Sequence, residues 1–167
     1  MTIHEWINEY GLYHKNKTNK IIHWICVPII MLSLFGLLEL IPYKSNMDFT
    51  FNTLESWTNF KFDINILTIF IILTILFYLR LSITLSVGMI SFSIFLIYIL
   101  KQLNNVYYIS EYKLLFYLLL FIIAWIGQFV GHKIEGKKPA FFKDLQFLLI
   151  GPLWLLSFIY KKIGIRL

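Results

Sequence analysis

The sequence predicts an all-α, multi-pass integral membrane bundle, and three observations carry that prediction. Apolar runs of roughly bilayer-spanning length recur at Ile21 to Leu40, Asn65 to Leu79, Leu81 to Leu100 and Leu114 to Gly131. Hydrophobic residues fill 59% of the 167 positions and aromatic ones 19%, more than a soluble domain carries. The cations collect where these runs end. With four spans and the N-terminal side in the cytoplasm, Lys15, Lys17, Lys20, Arg80, Lys133, Lys137, Lys138 and Lys143 fall inside, and Lys44, Lys61, Lys101 and Lys113 outside. The positive-inside rule favours that orientation.

The net charge of +6 does not indicate nucleic acid, because the lysines flank apolar spans and are not interleaved with stacking residues on one polar face. A single cysteine, Cys26, lies inside an apolar run, which excludes a disulfide framework and points to packing. The N-terminus shows no basic flank leading into a cleavable apolar core, so no signal peptide is expected.

Each element has its own local warrant. Thr2 and Glu5 have capping-box spacing, and Ile3, Trp6, Ile7, Tyr10, Tyr13 and His14 recur at helical spacing behind them, which predicts an amphipathic helix at the membrane surface. Lys15 to Thr18 reads as a polar turn, with Thr18 or Asn19 as N-cap of the first span. Pro42 to Asp63 reads as a connection outside the bilayer. Arg80 alone separates the next two runs, and a helix of about 36 residues would reach roughly 54 Å, so a tight hairpin is expected. The last run, Leu145 to Tyr160, contains Gly151-Pro152, which predicts a break and a re-entrant or interfacial segment that keeps Lys161, Lys162 and Arg166 inside. Residues 1–167 are expected to form one membrane-embedded domain.

Polar residues inside such a chain need partners. Gln128, His132 and Glu135 share one stripe at the end of the fourth span. His14 and His23 sit at the mouth of the first span on the same predicted face of the membrane, and the turn at Lys15 to Thr18 lets them point together. Neutral imidazole suits iron, zinc, copper and nickel, and two or three histidines with a carboxylate are a common non-haem iron set. Glu135 reads either as a fourth ligand or as an orienting acceptor, with Asn19 and Gln128 nearby. The plainer reading is a group of interfacial histidines that cap helix ends or bind headgroups. His4 belongs to the capping turn and is not a ligand candidate.

These residues also carry a resemblance. Tyr13-His14, Asn19, His23 and Pro28, in the run YHKNKTNKIIHWICVP, together with Gln128, Gly131-His132, Glu135 and Pro139-Ala140, resemble the 2-hydroxy-fatty-acid dioxygenase family, whose fungal member works in phytosphingosine degradation. The resemblance spans essentially the whole chain. It implies an Fe2+ dioxygenase that shortens a 2-hydroxy fatty acid by one carbon, with His14, His23 and His132 as metal ligands. With it we expect Glu135, Gln128 and Asn19 in catalytic roles and Tyr13, Lys137 and Lys138 at the substrate. The expected partners are the hydroxy acid, O2 and the lipid bilayer, either a bacterial inner membrane or the endoplasmic reticulum, with the metal at the cytoplasmic face. Where relatives commonly carry an acid after Pro152, this chain has Leu155, Leu156 and Ser157. A zinc-dependent lipid hydrolase and a non-catalytic lipid-binding protein are the alternatives.

Overall fold

The computed structural model describes residues 2–42, 49–50, 61–62, 65–136 and 141–165. Helices dominate these residues: α1 (Ile3–Gly11), α2 (Lys17–Glu39), α3 (Ile66–Leu81), α4 (Ile83–Asn104), α5 (Tyr107–Glu111), α6 (Lys113–Glu135) and α7 (Phe141–Ile163). One short antiparallel pairing, β1 (Phe49–Thr50) with β2 (Lys61–Phe62), lies in the connection between α2 and α3. The all-α class expected from the sequence is present. Among the described residues α2, α4 and α6 are long and apolar enough to cross a membrane, and α3 is a shorter apolar helix.

Local chemistry sets the helix ends. The Thr2 backbone N–H donates to Glu5 Oε2 at 2.8 Å and Glu5 N–H donates to Thr2 Oγ1 at 3.3 Å, the reciprocal box expected at the start of α1. The cap of α2 is Asn16, not Thr18 or Asn19 as expected: its Oδ1 accepts from Thr18 N–H at 2.8 Å and Asn19 N–H at 3.4 Å. The turn thus closes two residues earlier and leaves the Asn19 side chain free for a tertiary role. Ser82 is the sole residue between α3 and α4. Leu67 clusters with Leu96 and Leu100, and Tyr78 with Leu85 and Met89, so α3 and α4 form the expected antiparallel hairpin.

Helices α2 and α6 run antiparallel along their whole length, brought close by missing side chains. A Cβ on Gly36 would lie 2.5 Å from the Tyr117 ring, one on Gly127 would lie 2.6 Å from Cys26 Sγ, and one on Gly131 would overlap Asn19 Oδ1. Small residues at such positions let helix backbones approach closely.

Two apolar clusters mark the two ends of the bundle. Met31, Phe35, Leu67, Leu96, Leu100 and Tyr117 form one. The other joins Ile3 and Tyr10 of α1 and Val27 of α2 with Phe147, Ile150, Leu153 and Trp154 of α7. The apolar stripe of α1 is therefore spent largely on α7.

The predicted break in the last segment does not occur, because α7 runs as one helix through Gly151 and Pro152. Proline removes the donor for the carbonyl four residues back. The Tyr78 hydroxyl donates to the neighbouring Leu149 carbonyl at 2.9 Å, and the Tyr160 hydroxyl reaches the Thr84 carbonyl at 3.0 Å beside Gly88. The first bond supports the turn before Pro152 and the second ties the end of α7 to α4; both join segments far apart in sequence. The buried side chains of α7 pack in the α1 cluster, and none belongs to the opposite one.

Candidate metal centre

Three segments bring one histidine each to a common point. His14 follows the end of α1, His23 lies one turn beyond the Asn19 position of α2, and His132 lies near the end of α6. One ring nitrogen from each lies within 4.8 Å of the other two. The His14 and His23 ring centroids are 4.1 Å apart and nearly perpendicular, and His132 is 5.3 and 4.9 Å from them. All three are buried, with His14 at 1% and His23 at 0% exposure.

Hydrogen bonding assigns the tautomers. His14 Nδ1 lies 2.7 Å from the Tyr10 carbonyl and His23 Nδ1 lies 2.9 Å from the Asn19 carbonyl. A carbonyl oxygen only accepts, so each Nδ1 carries the proton and each Nε2 keeps a lone pair. Those Nε2 atoms, with His132 Nδ1, are buried and without a hydrogen-bond partner. Three buried acceptor-capable nitrogens left unsatisfied together are costly unless something fills the point between them. Imidazoles oriented by backbone carbonyls are the usual form of metal-ligating histidines, so the residues fit a bound metal ion.

Burial also keeps the imidazole neutral. Desolvation pushes His14 down to about 4 from 6.5; the neighbouring His132 and Lys20 act in the same direction, against the Tyr10 carbonyl and Glu135. At neutral pH the ring is a free base. Tyr10 stacks on His14 at 4.1 Å and 4°, and Trp154 packs 5.0 Å away. The sequence reading left both out of the site, although Tyr10, one turn before His14, carries the necessary spacing.

The other expected residues separate into distinct places. Glu135 is not part of the histidine group: its Oε1 accepts from Lys15 N–H at 2.8 Å, and its Oε2 accepts from Asn16 N–H at 2.9 Å and Asn19 Nδ2 at 3.0 Å. Asn19 is fully buried, and its Nδ2 also donates to the Tyr13 carbonyl at 3.0 Å. The Tyr13 ring is half-buried against Phe147. His4 is exposed, as its capping position implies. Lys137 and Lys138 lie outside the described residues.

Gln128 lines a small, part-open cleft of about 30 Å³ between α2, α6 and α7, with His132, Val27, Ile30, Met31 and Phe147 also on its walls. Trp125 lines it too, with its indole Nε1 buried and unpartnered. The cleft lining is mostly apolar, with the polar groups of Trp125, Gln128 and His132 along one side.

Together these features define a helical protein of membrane-spanning character with a buried three-histidine site able to hold a metal ion. The profile of the family described as 2-hydroxy-palmitic acid dioxygenase Mpo1-like matches residues 1–163, and the chain belongs to that family. No curated protein and no solved structure matches the chain.

Proposed function

We propose that the chain is an Fe(II)-dependent dioxygenase that cleaves the C1–C2 bond of a 2-hydroxy fatty acid and leaves the acid one carbon shorter. The observation that carries this reading is the trio of buried, unpartnered ring nitrogens: His14 Nε2, His23 Nε2 and His132 Nδ1. Family membership supports it. When bound, ferrous iron supplies the one-electron chemistry that O2 needs to attack a closed-shell substrate, and open positions for a chelating hydroxyl and carboxylate. Electrons balance without a further reductant. The carbinol C2 becomes a carboxyl carbon and C1 leaves as CO2, together releasing the four electrons that one O2 accepts, and water is the other product.

The chain's own residues do the rest. The Tyr10 and Asn19 carbonyls hold the His14 and His23 rings with their free nitrogens inward. Gln128 offers an amide to the polar end of the substrate, and Val27, Ile30 and Met31 take the first part of the acyl chain. Tyr13, Lys137 and Lys138 are assigned to substrate binding, with a lysine pairing with the carboxylate. The distribution of basic residues supports a mouth on the cytoplasmic face.

The test is purification in detergent without oxygen, measurement of bound metal, and addition of 2-hydroxypalmitate and O2. Iron near one per chain and an acid one carbon shorter are expected. Bound zinc with no oxygen consumption would overturn the dioxygenase in favour of a hydrolase, and no metal at all would favour a lipid-binding protein.

A further inference from the structure

We propose that Glu135 is the positioning residue of the metal site, a carboxylate that binds the three histidine-bearing segments to one another and thereby sets how tightly the metal is held. The inference rests on the metal centre proposed above. Each histidine lies close to this carboxylate by a short covalent or hydrogen-bonded route. Lys15, whose N–H donates to Oε1, directly follows His14. Asn19, whose Nδ2 donates to Oε2, supplies the carbonyl that orients His23. Glu135 itself stands three residues after His132, in the last position of α6.

Local structure explains why the carboxylate reaches this turn. Gly136 ends α6 in the left-handed region, at φ 70°. The three donors it meets are Lys15 N–H and Asn16 N–H, just before α2, and Asn19 Nδ2 in its first turn, where the helix dipole favours an anion. Two donors are backbone groups of the turn that carries His14, so one side chain on α6 holds that turn in place. Asn19 extends the tie, because the Nδ2 that meets Glu135 also holds the Tyr13 carbonyl, immediately before His14. Both sides of His14 are thereby anchored to α6.

Helices α2 and α6 are already fixed to each other by the glycine contacts. His14 is the ligand whose position those contacts do not determine. A glutamine at 135 would keep one acceptor oxygen but turn an NH2 group toward N–H donors, loosening the turn without removing a histidine.

The experiment titrates the metal-free, detergent-solubilised full chain with Co(II) under nitrogen, at a temperature where circular dichroism shows equal helicity for all variants. Wild type, His132→Ala, Glu135→Gln and Glu135→Ala are compared for dissociation constant and for the visible cobalt spectrum. The expected result is one tight Co(II) in wild type, none in His132→Ala, and about 10- to 100-fold weaker binding in both Glu135 variants with the cobalt bands unchanged. Glutamine and alanine variants that bind as tightly as wild type would overturn the positioning role while leaving the metal centre standing. Displaced cobalt bands would also overturn it, by making Glu135 a ligand. Failure of wild type to bind Co(II) would instead remove the metal centre, and the inference with it.

Discussion

Replacing Gly131 by alanine tests the close approach of α2 and α6 at the point where it matters for the histidines. The new methyl would overlap Asn19 Oδ1 and lie 3.2 Å from His23 Cε1 and 3.4 Å from its Nδ1. Overpacking a helix interface costs about 1–3 kcal/mol, while Gly to Ala in a helix returns about 1 kcal/mol of propensity, so a net loss of roughly 0–2 kcal/mol is expected. The larger effect falls on the site. Asn19 can relieve the overlap only by moving its carboxamide, which gives up the bonds to Glu135 and the Tyr13 carbonyl. Bound metal after dialysis against a weak chelator should fall at least several-fold while helicity persists. Gly127→Ala provides the control, because its methyl meets Cys26 Sγ, one turn further along and outside the hydrogen-bond network. It should lower the thermal midpoint without releasing metal, and Cys26→Ala in the same chain should restore that midpoint. Full metal retention in Gly131→Ala, or equal loss in both glycine variants, would refute the reasoning.

Other perturbations separate the site from the scaffold. Tyr78→Phe removes the hydroxyl that serves the Leu149 carbonyl before Pro152, and should cost about 0.5–1.5 kcal/mol, read as a lower midpoint in detergent with unchanged metal content. Asn104→Ala breaks two bonds at the far end of the bundle, from the Tyr117 hydroxyl at 2.8 Å and to Glu39 Oε2 at 2.9 Å; it should lower the midpoint and leave Co(II) affinity at the wild-type value. For the metal-free protein, the midpoint should be insensitive to His14 above pH 6.5 and fall as pH drops toward 4. The unfolded chain takes up the His14 proton near 6.5 and the folded one only near 4, so acid favours unfolding across that interval. A midpoint that rises on acidification through this window would contradict the buried neutral ring.

Much of the bundle was legible because its signals are local. Apolar run lengths located α2, α4 and α6, the Thr2 and Glu5 spacing located the start of α1, and the expected hairpin turns at Ser82, two residues past Arg80, which lies inside α3. The convergence of His14, His23 and His132 followed from placing three helix ends on one face. What escaped the sequence depends on contacts between distant segments. Glu135 is separated from Lys15 and Asn16 by nearly the whole chain, so its partners are invisible to helical spacing. Asn16 caps α2 because its Oδ1 reaches the N–H groups of both Thr18 and Asn19, which places those two residues inside the first turn. Pro152 stays inside a helix whose preceding turn accepts the Tyr78 hydroxyl of α3 at the Leu149 carbonyl and packs in the α1 cluster. The roles of Gly127 and Gly131 depend on α2 standing against them, a contact between distant segments.

The antiparallel α2–α6 pair has a mechanical consequence. Bilayers of different thickness tilt or bend single helices, but two helices in contact from Gly36 at one end to Gly131 at the other respond as one beam. His23 and His132 both ride on that beam, so the close contact of the two helices sets their separation. His14 sits on the arm beside it, held by the hydrogen bonds of its turn to Glu135 and Asn19 and by the packing of α1 on α7.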